Sequence, residues 1–249
     1  MAAQDSRRVA LVANTSFYVG PDIARMLAAR DHDLVIGDPA DGLVDELEAT
    51  GAQVETVTGV MDLADPTNAR TLVDAGLERF GRIDAATAFT GRVITGPFAD
   101  ASIDDVRALE QGCFEAPFHF LQAVLPSMVE QGSGQVLVLT SSSGQRVTPN
   151  APIYSAMRAG ATHLLKNVAA EVAPSGVSVN GLGTNFMDFP EFLRASGATD
   201  PKVREFIESR VPLRRLGTVE ECAALCVAYL DGSCTFVTGQ FVAHDGGWS

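Results

Sequence analysis

The chain has 249 residues, of which 46% are hydrophobic and 20% charged, with 23 Gly and 12 Pro. This length suffices for one sizeable core, the apolar content excludes disorder, and the spread of Gly and Pro excludes a coiled coil. With 18 basic against 31 acidic side chains and a formal charge of −13, the chain lacks the basic footprint of a nucleic-acid binder.

In chain order, short apolar runs alternate with segments of helical period. Val9–Ala13 predicts a strand and Gly20–Arg30 a helix; Asp33–Gly37 and Asp41–Thr50 repeat the pair. Gln53–Thr58 predicts a third strand, followed through the start signal Asp65-Pro66-Thr67 by a helix ending near Phe80. Ile83–Phe89 is a fourth strand, Ser102–Glu130 a long helical tract and Gly134–Thr140 a fifth strand. Pro152–Ala173 is helical, Val177–Leu182 a sixth strand, Val219–Leu230 a helix and Phe236–Val242 the last strand. Runs that are apolar throughout suit parallel strands covered on both faces. The rhythm predicts an α/β fold: one Rossmann-like domain over residues 1–249, a doubly wound parallel sheet of about seven strands. Thr184–Arg210 interrupts the rhythm with Phe186, Phe189, Phe192 and Phe206. It falls at the carboxyl edge of the sheet, where such segments shape a substrate pocket.

No stretch of about 18 uncharged apolar residues predicts a membrane span. Met1–Arg8 has no apolar run before its arginines and does not resemble a signal peptide. Cys113, Cys222, Cys226 and Cys234 have no histidine at zinc spacing. They are expected to be buried thiols of a cytoplasmic chain, with no metal.

Tyr154 and Arg158 project from one helix face a turn apart. A guanidinium beside a phenol favours phenolate, so Tyr154 is a candidate base. Ser141, at the end of the fifth strand, is placed to share a substrate oxygen with it. Asp38 ends the second strand, where a carboxylate binds ribose in NAD enzymes or caps a turn. Trp248, the single Trp, is a candidate interface anchor. His119 and His163 fall on helices as packing or surface imidazoles.

The order Thr140-Ser141, Tyr154-Ser155-Ala156-Met157-Arg158-Ala159-Gly160 and Val177-Ser178-Val179-Asn180 resembles the short-chain dehydrogenase/reductase superfamily. Asp62, Pro212–Thr218, Val237–Gln240 and Asp245-Gly246-Gly247 agree with it. The departures are specific. Arg158 replaces the superfamily's lysine. The first loop reads Ala13-Asn14-Thr15-Ser16-Phe17-Tyr18-Val19-Gly20, with Tyr18 where a glycine admits the dinucleotide. Ala88-Phe89-Thr90-Gly91 replaces an Asn-Asn-Ala-Gly signature, and the helix asparagine is replaced near Gly112 and Cys113.

This combination is similar to the halohydrin dehalogenases, an offshoot with a Ser-Tyr-Arg triad and no nucleotide. The resemblance implies a carbon–halide lyase that turns vicinal haloalcohols into epoxides and opens epoxides with azide, cyanide or halide. It implies Ser141, Tyr154 and Arg158 as catalytic residues and no cofactor. Halide and substrate would be held by Tyr18, Thr184, Asn185, Phe186, Phe189 and Phe192, with halide on the N–H groups of the Thr184–Phe186 turn. Homotetramers built through Ser102–Glu130 and Pro152–Ala173 are also implied. The alternatives are an NAD(P)-dependent short-chain oxidoreductase, or a non-catalytic member of the superfamily.

Overall fold

A computed structural model describes residues 7–249; residues 1–6, which carry most of the leader reading above, lie outside the described residues. The strands are β1 (Arg8–Val12), β2 (His32–Gly37), β3 (Val54–Val57), β4 (Ala85–Phe89), β5 (Gly134–Ser141), β6 (Val177–Thr184) and β7 (Phe241–His244). They form one parallel sheet in the order β3-β2-β1-β4-β5-β6-β7. The order reverses once, between β1 and β4, which puts the ligand crevice at the carboxyl ends of those strands.

The helices are α1 (Gly20–Ala28), α2 (Leu43–Glu48), α3 (Pro66–Phe80), α4 (Ile103–Glu110), α5 (Ala116–Gln131) and α6 (Pro152–Val172), then α7 (Pro190–Ser196), α8 (Pro201–Arg210) and α9 (Val219–Leu230). One core layer joins Leu11, Val35, Phe120, Val124, Val138 and Val179 beneath α3, α5 and α6. The opposite layer joins Val12, Ile23, Ile36, Leu139, Cys226 and Leu230 beneath α1 and α9. Buried on both faces, β5 shows no alternation, as a central parallel strand should not. Among the described residues, no helix is long and apolar enough to cross a membrane.

Three expectations are corrected. The tract Ser102–Glu130 is two helices joined by one wide π turn at Gln111–Glu115. There Cys113 Sγ donates to the Arg92 carbonyl at 3.3 Å. A Cβ on Gly112 would lie 2.7 Å from Arg92 Cβ, so the loop after β4 presses into the helix and opens the turn. The last strand is Phe241–His244 rather than Phe236–Val242. Thr238 Oγ1 accepts from Val179 N–H, Val237 O from the Asn180 amide, and Gln240 N–H donates to Asn180 Oδ1. Side chains therefore take the hydrogen bonds that a ladder would use. The sixth strand runs on to Thr184, because β7 pairs with it there.

Helix α9 begins in a capping box: Thr218 Oγ1 accepts from Glu221 N–H while Glu221 accepts from Thr218 N–H. Arg215 grips the same carboxylate at 2.6 and 2.7 Å, holding Glu221 down to about 2. A depressed carboxyl stabilises the fold above its unfolded value and loses that stabilisation as pH falls through the folded one. The difference in melting temperature between native protein and Glu221→Gln is therefore greatest at neutral pH and vanishes toward pH about 2. Thr218→Ala lowers stability by about 1 kcal/mol, measured by denaturant unfolding.

Candidate active site

Arg158 is the largest fully buried side chain, 1% exposed on α6. Its Nη1 donates to the Thr90 carbonyl at 2.6 Å and to Thr140 Oγ1 at 3.1 Å. Among the described residues it has no carboxylate partner, and its Nε is unpaired. A buried cation without a counter-ion is costly unless dipoles surround it. Here the dipoles are one carbonyl, one hydroxyl and the face of Tyr154, whose ring centroid lies 5.1 Å from Arg158 Cζ. Gly91 makes this approach possible, since a Cβ there would fall 1.6 Å from Arg158 Nη2. Its φ of +135° also excludes most side chains.

Tyr154, 7% exposed, stands in the first turn of α6. The guanidinium expected beside the phenol lies against its ring face, with Nη1 held by Thr90 and Thr140. Ser141 is the last residue of β5. Its Oγ donates to Ser143 Oγ at 2.9 Å and accepts from Ser143 N–H at 3.2 Å. Sequence reasoning overlooked Ser143, although the Ser141-Ser142-Ser143 run after a strand was a visible signal.

Tyr18 sits at φ +57° in the loop before α1. Its ring packs 4.3 Å from that of Phe189 and 5.1 Å from that of Phe89. Burial pushes its phenol far above the ordinary value, and the thiols of Cys222 and Cys226 add to this. Tyr18 is thus a protonated wall. The loop itself stays tight, since a Cβ on Gly20 would meet the Asn14 carbonyl at 1.9 Å.

Tyr18, Ser141, Tyr154, Arg158, Thr184, Asn185, Phe186, Phe189 and Phe192 line one cavity of about 340 Å³, so the structure brings together every site residue expected from sequence. Phe89, Thr140, Ser143, Asn150 and Met187 line it too. The Thr184–Phe186 turn differs from expectation. Asn185 N–H donates to the His244 carbonyl at 3.3 Å, and Phe186 N–H donates to Asn185 Oδ1 at 2.9 Å. Both amides are engaged, so the turn does not offer the open N–H groups that a halide requires. Asp38 accepts from Gly59 and Val60 N–H at 2.6 and 2.9 Å, tying β2 to the end of β3. Trp248 packs inside this chain, edge-on to Phe186 at 5.3 Å and beneath the Arg146 guanidinium. Of the other candidates, the ring of His119 packs against Phe118.

Gly91→Ala drives a methyl into the Arg158 guanidinium. We expect a loss of at least about 2 kcal/mol of stability, together with loss of ligand binding in the cavity. Unchanged unfolding would show that Arg158 is not confined as described.

The profile of the family described as Enoyl-(Acyl carrier protein) reductase matches residues 16–249. The chain is 25% identical over 244 residues to 7alpha-hydroxysteroid dehydrogenase of Escherichia coli strain K12, covering 96% of this chain and 93% of that protein. It is 29% identical over 248 residues to L-rhamnose 1-dehydrogenase (NAD(P)(+)) of a Sphingomonas species, covering 96% and 95%. The crystal structure of acetoin dehydrogenase from Enterobacter cloacae superposes with a TM-score of 0.83 at 28% identity, covering 97% of this chain and 96% of that one. These relatives are dehydrogenases, so the expected halohydrin dehalogenase, a cofactor-independent carbon–halide lyase, is corrected to the oxidoreductase alternative. The roles given to halide fall with it. The chain belongs to the short-chain dehydrogenase/reductase superfamily, within the family described as Enoyl-(Acyl carrier protein) reductase.

Proposed function

We propose that this chain is a short-chain oxidoreductase acting on the hydroxyl or carbonyl group of a largely apolar molecule, with an external nicotinamide dinucleotide as the hydride acceptor or donor. What carries the reading is the convergence of Ser141 and Tyr154 on one aromatic-lined cavity, with Arg158 buried behind them. The Ser141 hydroxyl turns from Ser143 to the substrate oxygen and orients it. The Tyr154 hydroxyl passes a proton to that oxygen or takes one from it. Arg158, fixed by Thr90 and Thr140, supplies positive potential under the ring without leaving its place. Phe89, Phe186 and Phe192 give the cavity apolar walls.

The name of the rhamnose dehydrogenase carries NAD(P)(+), and the first loop of this chain does not fit such a group as it stands. Tyr18 fills the space between the start of α1 and the strand ends, pinned by Phe89 and Phe189. Asp38, the candidate ribose ligand, is already committed to two backbone amides. Glycine at position 18 would suit the positive φ and clear the ring.

We further propose that copies of this chain assemble into the homotetramer that the resemblance implies. An apolar groove across α5 and α6 supports this, lined by Phe118, Leu121, Leu125, Val129, Leu164 and Val168. The four free thiols support a reducing cytoplasm.

Nicotinamide-dependent oxidation of secondary alcohols and reduction of ketones tests the function. In Tyr18→Gly, binding of NADH or NADPH and turnover should rise by at least about tenfold over the native chain, a change of about 1.4 kcal/mol. Tyr154→Phe should lower kcat/KM by at least about a hundredfold in either background. Full activity in Tyr154→Phe would refute the proton-transfer role. Light scattering checks the assembly: Val129→Glu should shift the mass toward smaller species, and an unchanged mass would remove the α5–α6 face from the interface.

A further inference from the structure

A second cavity of about 530 Å³, open to solvent along Pro212 and Leu213, adjoins the first, and Asn185 and Phe186 line both. Phe186 is the thin part of this wall. Its ring stands edge-on to Trp248 on one side and to Phe192 on the other, at 5.3 and 6.3 Å. Its backbone has φ +55°, a conformation that disfavours a bulky residue and persists only where surroundings impose it. Its N–H donates to the adjacent Asn185 Oδ1 at 2.9 Å and its carbonyl accepts from Gly217 N–H at 2.9 Å, so the backbone is fixed while the ring is held only by its aromatic neighbours.

The far chamber is chemically defined. Pro212, Leu213 and Ala243 give it apolar walls. Its charged groups are internally satisfied: Arg215 is paired with Glu221, and Asp245 accepts from the N–H groups of Gly247, Trp248 and Ser249. The exception is His244. Among the described residues its ring makes no hydrogen bond, and it faces the chamber beside Gly217. Half-buried, it is held toward the neutral imidazole, chiefly by burial. A neutral imidazole offers one donor and one acceptor.

We infer that a ligand seated at Tyr154 extends past Phe186 into this chamber, which takes an apolar chain ending in an uncharged hydroxyl or amide bound by His244. Phe186 is then the specificity-determining wall, and short ligands leave the chamber unused. The inference rests on the proposal that the Tyr154 cavity holds the substrate.

The single Trp of the chain lies against Phe186, so its emission reports movement of the wall. The full-length protein is titrated with secondary alcohols of increasing chain length, with and without a terminal hydroxyl, following Trp248 emission and heat in parallel. Short alcohols should bind without changing emission, and long ones should change it. In Phe186→Ala, each methylene beyond the first cavity should strengthen binding by about fourfold, whereas Phe186→Leu should keep the native dependence. His244→Leu should remove the preference for the terminal hydroxyl and leave the chain-length dependence intact. The inference is overturned if long alcohols bind calorimetrically with silent emission, if Phe186→Ala keeps the native length dependence, or if no alcohol binds at any length. Turnover that survives Tyr154→Phe would instead overturn the catalytic reading alone, since these binding measurements need no reaction.

Discussion

The site depends on one buried charge. Arg158 is 1% exposed and, among the described residues, has no carboxylate to answer it, and the sequence around it is arranged to make that tolerable. Thr90 at the end of β4, Thr140 near the end of β5 and the Tyr154 ring on α6 surround the guanidinium with dipoles and a π face. Gly91 leaves room for it. Three elements are thereby fastened to one another at the carboxyl edge of the sheet, where the strand order reverses. Removal of any one partner leaves a cation unpaired in a dry place, which costs far more than a surface contact does. Ser141 directly follows Thr140 and Tyr154 stands one turn before Arg158, so both lie beside this charge.

The second constraint is aromatic. Tyr18, Phe89 and Phe189 come from the β1–α1 loop, the end of β4 and the start of α7, and they meet over the crevice. They wall one side of the cavity that Ser141 and Tyr154 line. A chain with this superfamily's fold thus carries, in its first loop, a ring where the dinucleotide named for one relative would have to pass. The opposition resides in one ring at one strained position, which makes it removable by a single substitution.

Much of this was legible in the sequence. Apolar runs without alternation gave the parallel sheet, and the Tyr154–Arg158 spacing with Ser141 at a strand end gave the centre of the site, because strand ends and helix faces are local properties. What escaped depends on partners distant in sequence. The π turn at Gln111–Glu115 exists because Arg92 presses on Gly112 and Cys113, and nothing within the helix announces it. The Thr184–Phe186 turn suggested free amides, but β7 pairing and the Asn185 side chain engage them. The geometry of Arg158 under the Tyr154 ring is set by Thr90, 68 residues away in sequence. The activity inferred from the lost glycines gave way to similarity along the whole chain, whose relatives are dehydrogenases.

The most direct measurement is a crystal structure of the protein with a small secondary alcohol bound. The account predicts the alcohol oxygen within hydrogen-bond reach, roughly 2.6–3.2 Å, of both Ser141 Oγ and Tyr154 Oη, with Arg158 unmoved beneath the ring. An alcohol oxygen held instead by Tyr18 or Asn185, with Ser141 still bonded to Ser143, would contradict it.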